Sequence, residues 1–149
     1  MSNLSLSEFV ERVGQIMPVM MREFFRQQSG EFYKLKITMP QFVVMEILSR
    51  QPDSKMSELA HFINVTTAAM TGIVDRLVRY GYIKRGNDPE DRRVVRVSLT
   101  PKGSKTVTSI VEDRKKHMGR IFGMISQEER REYLKILEHV KESLESNKE

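Results

Sequence analysis

The sequence predicts a mainly α fold with one small β-hairpin, and three observations carry that expectation. Apolar residues recur at three- and four-residue steps through most of the 149-residue chain, the period of amphipathic helices. Only Val94–Leu99 alternates with a period of two, with Val95, Val97 and Leu99 on one face and Val94, Arg96 and Ser98 on the other. A short run just upstream, Tyr82–Gly86, is bounded by Gly81 and Gly86 and is placed to pair with it as a hairpin.

Each element has its own local justification. From Leu6, residues Phe9, Val10, Val13, Ile16, Met17, Met20, Met21, Phe24 and Phe25 form a broad stripe on a long helix. Pro18 lies inside that stripe and removes a backbone donor, which predicts a bend near Gly14–Pro18 within one helix. Thr38 as cap and Pro40 in the first turn open a second helix from Met39 to about Arg50, with Phe42, Val43, Met45, Ile47 and Leu48 largely buried. Gln51-Pro52-Asp53 closes it. A short helix with Met56, Leu59, Ala60 and Ile63 on one side then breaks at Asn64-Val65, and another helix follows at once, capped by Thr66. After the hairpin, Thr100-Pro101 starts a helix to about Gly123, whose charged middle, Glu112–Lys116, is expected to be exposed. Ser126-Gln127-Glu128-Glu129 reads as a capping box for a last helix that turns Tyr133, Leu134, Leu137, Val140 and Leu144 inward.

Two helices joined by so tight a turn form a helix-turn-helix, whose second helix enters a DNA major groove. On that helix Ala69, Met70, Ile73, Leu77 and Val78 keep the apolar stripe, while Thr67, Ala68, Thr71, Gly72, Asp75, Arg76 and Arg79 lie largely opposite. Small side chains allow close approach to base edges, and threonine offers a hydroxyl for base or phosphate and a methyl for thymine. Arg76 and Arg79 are placed for phosphates, and Lys84 adds a cation on the first hairpin strand. The hairpin connection, Asn87–Arg93, holds Pro89 and alternating charges, so it should project into solvent with Arg92 and Arg93 at its tip. Such a thin arginine-bearing ribbon suits a narrow minor groove. Asp88, Glu90 and Asp91 would repel phosphates there unless at least one is used internally to brace an arginine. Taken singly, the helix reads as a threonine-capped core helix and the loop as a solvated hairpin; in direct succession they read as a winged helix-turn-helix.

This succession resembles the MarR family of winged-helix transcription regulators. Asp91, Arg93, Val97, Leu99, Thr100 and Gly103 match its wing pattern D-x-R-x-x-x-V-x-L-T-x-x-G, and Val74-Asp75-Arg76-Leu77 with Gly81 and Ile83 matches its recognition-helix exit. The similarity spans nearly the whole chain. It implies a winged helix-turn-helix, about residues 38–103, flanked by N- and C-terminal dimerisation helices, about 4–34 and 104–146, in a single domain. It further implies Arg92 as the minor-groove residue, an ion pair between Arg93 and Asp75 that holds the wing, and Asp91 fixing the turn. Family members commonly bind small, often anionic aromatic effectors between the dimerisation helices and the winged lobe. Met17, Met20, Met21, Phe24, Phe42 and Met45 are candidates to line that crevice, with simple core packing as the alternative.

The expected partners are therefore double-stranded DNA and a second copy of the chain. Apolar helices at both ends need covering, by an identical subunit or by packing within a larger helical domain. A two-fold pair of recognition helices ~34 Å apart fits a pseudopalindromic operator, and a repressor is the simplest regulator because occupying a promoter needs no further contacts. A winged-helix module that docks another protein is the competing reading. A net charge of +5 and a pI of 9.6 favour a polyanion. With no cysteine, disulfides and thiol chemistry are excluded. No phosphate loop or nucleophile elbow occurs, and His61, His117 and His139 lack metal-ligand spacing and are expected on surfaces or helix faces, so neither enzyme, cofactor nor metal is anticipated. The N-terminal residues lack a secretion signal and no apolar run reaches the ~20 residues of a membrane span, so the cytoplasm is the expected location.

Overall fold

The computed structural model describes residues 4–146, apart from the side chains of residues 27–29. Six helices and three strands follow in the order α1 (Leu6–Leu35), α2 (Met39–Arg50), β1 (Ser54–Lys55), α3 (Met56–Phe62), α4 (Thr67–Arg79), β2 (Ile83–Asn87), β3 (Val95–Leu99), α5 (Pro101–Phe122) and α6 (Gln127–Ser146). The chain divides into two compact units, one ending at Arg114 and the other beginning at Lys115. No helix of the described residues is long and apolar enough to cross a membrane.

Caps set most of the boundaries. Ser5 and Glu8 exchange hydrogen bonds at the start of α1, and the Ser5 amide holds the Glu8 carboxyl below its ordinary value. Pro18 lies inside α1, which is assigned as one 30-residue helix. At α2 the Thr38 amide donates to Gln41 Oε1 at 2.9 Å. Just past α3 and its C-cap Ile63, Asn64 has a left-handed φ of 54°, a conformation asparagine tolerates better than most side chains. The amide of Asn64 then reaches His61 O, and that of Val65 reaches Ala60 O.

The α4 helix ends similarly. Gly81, at φ 74°, donates to Val78 O while Tyr82 donates to Leu77 O, satisfying carbonyls that would otherwise lack partners. The sheet order is β1-β3-β2, antiparallel, with Ser54 opposite Val97 and Ile83 opposite Leu99. Strand β1 was not anticipated. Two residues carry no periodicity, and only the pairing with β3 defines them.

The core of the first unit gathers Phe42, Met45 and Leu48 from α2, Leu59 from α3, Met70, Val74 and Leu77 from α4, Ile83 and Val97 from the sheet, and Val107 and Ile110 from α5. Ala69 and Val78, expected in the stripe of α4, are exposed, and Val74, not expected there, is buried with Met70 and Leu77. Charge does not keep the middle of α5 fully outside. Arg114 is part-buried, donates to Glu46 at 2.5 Å and lies over the Phe42 ring. His117, expected on a surface or a helix face, is 8% exposed.

Helix α6 begins at the anticipated cap, with the Ser126 amide donating to Glu129 Oε2 and the Glu129 amide to Ser126 Oγ. Of its expected inward residues, Tyr133 is half-buried with its ring 5.6 Å from that of Phe122, and the others do not turn inward. Leu134, Leu137, Val140 and Leu144 are exposed, as are Phe9, Val10, Ile16 and Met17 of α1.

Candidate nucleic-acid interface

The recognition surface begins at Thr66, whose hydroxyl accepts the Ala69 amide at 3.2 Å and so caps α4. Thr66, Thr67, Ala68, Gly72, Asp75, Arg76 and Arg79 are exposed, and Thr71 is half-buried. Thr71 donates its hydroxyl to Thr67 O at 2.9 Å, which leaves an acceptor lone pair and a methyl for a ligand. A Cβ at Gly72 would meet nothing within 4 Å, so another molecule can approach the backbone closely there. Buried Met70, Val74 and Leu77 fix the opposite face in the core.

The wing is tied to this helix by Arg85 of β2, whose guanidinium meets Asp75 Oδ1 at 2.5 Å. This corrects the expected pair: Asp75 does brace the wing, but its partner is Arg85 rather than Arg93. Lys84, next along β2, is exposed. Between α3, α4 and the hairpin lies an open cleft of about 420 Å³ lined by Met56, Thr67, Thr71, Arg85 and Arg93 among others.

Two of the three acidic residues of the wing loop, Asp88 and Asp91, accept hydrogen bonds within it. Asp88 Oδ1 accepts the amides of Glu90 at 2.8 Å and Asp91 at 3.2 Å, while Asp88 Oδ2 accepts from Arg96 Nε at 2.6 Å. The Glu90 amide and then Arg96 hold the Asp88 carboxyl below its usual value, against a smaller opposing effect of burial. Asp91 Oδ1 accepts the Arg93 amide at 2.9 Å, the turn-fixing role expected of it. Asp88 N–H and Val94 O close the loop at 3.0 Å. Arg92 and Arg93 are both exposed, beside the exposed Glu90 and Asp91.

The root of the wing explains the Leu-Thr-x-x-Gly segment. Thr100 donates its hydroxyl to Gly81 O at 2.6 Å and accepts the Gly103 amide at 3.1 Å, joining the end of β3 to the exit of α4. Tyr82 donates its hydroxyl to Leu35 O, and burial raises its pKa.

The candidate effector residues differ in exposure. Phe42 and Met45 are 1% and 0% exposed in the core, Met17 and Met21 lie on the exposed side of α1, and Met20 and Phe24 are half-buried. Sequence reasoning had not assigned Arg85, Arg96 or Asp53 to the site. Asp88, just ahead of Pro89, carried the one usable signal, as aspartate at that place favours side-chain capping of a turn.

A helix-turn-helix with an exposed small-residue face, followed by an arginine-tipped hairpin braced on the same helix, defines a winged-helix DNA-binding protein. The family model described as the MarR family matches residues 37–95. The chain is 31% identical over 119 residues to the uncharacterised HTH-type transcriptional regulator YfiV of Bacillus subtilis (strain 168), covering 80% of this chain and 74% of YfiV. It is 32% identical over 96 residues to the HTH-type transcriptional repressor MdtR of the same organism, covering 64% and 62% of the two chains. The structure of Streptococcus pneumoniae FabT in complex with DNA shares its fold, with a TM-score of 0.82, 24% identity and coverage of 93% and 99%. The chain belongs to the MarR family and is a DNA-binding transcription regulator.

Proposed function

We propose that the protein is a cytoplasmic, homodimeric repressor that binds a pseudopalindromic operator and releases it when a small aromatic or anionic effector binds. The observation that carries the reading is the pairing of two surfaces on one compact unit. The Thr66–Gly72 face is free of large side chains, and Arg85 on Asp75 fastens the arginine-tipped wing beside it. The N-terminal turns of α4 then read base edges in the major groove, Arg76 and Arg79 contact phosphates, and Arg92 enters the flanking minor groove.

The exposed apolar faces of α1 and α6 support a dimer. Residues such as Leu137 and Leu144, 47% and 63% exposed, would each gain roughly half of the ~1.5–3 kcal/mol that full side-chain burial is worth. Repression is supported by the likeness to MdtR, described as a repressor. Release follows if the effector prefers a dimer whose reading heads are spread apart, since the DNA-competent population falls in proportion to that preference.

The test is selection of duplexes from a randomised pool, followed by titration of the selected duplex at physiological salt. An enriched inverted repeat with half-sites about one helical turn apart, and weaker binding with less A/T-flank preference in Arg92→Ala, are expected. No enriched sequence would reject operator recognition, and unchanged binding by Arg92→Ala would reject the wing's role.

A further inference from the structure

Arg96 occupies the central strand of the sheet, opposite Lys55 of β1 on one side and Gly86 of β2 on the other. Its side chain does not project freely. Nε donates to Asp88 Oδ2 at 2.6 Å, and Nη1 donates to Asp53 O at 2.9 Å with Asp53 Oδ2 at 3.6 Å. Each partner is anchored in a different part of the site. Asp88, 7% exposed, gives its other oxygen to the Glu90 and Asp91 amides just before the arginine tip. Asp53 sits at φ 61° directly before β1, and β1 leads without a break into α3, the first helix of the helix-turn-helix.

We propose that Arg96 is a positioning residue for DNA recognition: by joining Asp88 in the wing to Asp53 before the helix-turn-helix, it sets where the Arg92–Arg93 tip lies relative to helix α4. The inference rests on the operator reading above and adds a residue that need not touch DNA. Guanidinium geometry is what the task requires, because one planar group reaches two acceptors in fixed directions, which a lysine ammonium on a flexible stem does not reproduce. The two aspartates also neutralise Arg96 locally, so its charge is spent inside the protein rather than on a phosphate.

This makes the role separable from that of an ordinary DNA-binding cation. A phosphate contact contributes about one unit to the salt dependence of binding, whereas a positioning residue contributes none. The probe is the duplex the wild-type chain selects from a randomised pool, synthesised with A/T-rich or G/C-rich flanks. Wild type, Arg96→Met, Arg96→Lys, Arg92→Ala and the Arg92→Ala/Arg96→Met double variant are titrated over a range of salt. Hydrogen exchange at the Glu90 and Asp91 amides is followed in the free proteins.

Both Arg96 variants are expected to exchange these amides faster and to lose roughly tenfold of the preference for A/T flanks, with the salt slope unchanged. The double variant should lose little more than Arg92→Ala alone, since both act through the same wing. Arg96→Lys retains the charge and the aliphatic stem, so it decides the matter if Arg96→Met does not fold. Unchanged amide exchange overturns the clamp. Faster exchange with intact flank preference, or a flattened salt slope with equal loss on both flanks, overturns the positioning role. A wild type that selects an operator without flank preference overturns this inference alone, whereas one that selects no sequence overturns both it and the operator reading.

Discussion

An alanine at Gly103 would place its Cβ 1.9 Å from the Tyr82 carbonyl oxygen, 2.9 Å from the carbonyl carbon and 3.1 Å from Leu99 Cδ2. Ordinary contact needs the first of these to lengthen by more than about 1 Å, and the first two obstacles are backbone. That backbone has little freedom. Tyr82 O accepts the Thr100 amide at 3.0 Å, and the Thr100 hydroxyl bonds Gly81 O at 2.6 Å. Overpacking costs about 1–3 kcal/mol and a lost hydrogen bond about 1 kcal/mol, so Gly103→Ala should destabilise by roughly 2–4 kcal/mol. With a urea slope of about 2 kcal/mol/M, the unfolding midpoint read by circular dichroism falls by about 1–2 M. Gly72→Ala is the internal control. It lies in open space on a helix, so it should stabilise by about 0.5–1 kcal/mol while weakening duplex binding through the added methyl. A Gly103→Ala variant within about 0.5 kcal/mol of wild type, the range of neutral surface changes, would refute the reasoning about the wing root.

Three further outcomes follow from the same geometry. Thr66→Ala removes the cap on the Ala69 amide and should cost about 1 kcal/mol in the same urea assay; an unchanged midpoint would contradict the cap. Asp88→Asn should be less stable than wild type at neutral pH, because the folded-state pKa of Asp88 is depressed. That stabilisation is complete above the unfolded value near ~3.9 and is lost as pH falls through it toward the folded value. The variants should therefore converge in acid; a gap that persists at the acid limit would exclude this origin. Leu137→Glu places a charge on the exposed apolar face of α6 and should shift sedimentation toward single chains, and an unaltered profile would remove that face from the proposed dimer.

Where local chemistry decides structure, the sequence was readable. Thr38 and Pro40 gave the start of α2, although Val44, outside the expected buried set, is fully buried while Val43 is half-buried, and the Ser126–Glu129 box marked the beginning of α6. The hairpin was found through the alternation of Val95, Val97 and Leu99, with β2 displaced by one residue from the expected run. Contacts between distant residues were harder. Arg85 and Arg93 are both arginines of the hairpin, and nothing in their spacing says which meets Asp75; that depends on the twist and register of β2 against α4. The Asp53–Arg96 contact was likewise hidden, since it rests on an unanticipated two-residue strand. Met and Phe at helical spacing carried no information about exposure, and so the core residues Phe42 and Met45 were grouped with the exposed Met17 and Met21.

The most direct test of the account is the mass and footprint of the complex formed with the selected duplex. Two chains per duplex, protecting two inverted half-sites about one turn apart, are predicted. One chain per duplex, or equal protection of any sequence offered, would contradict it.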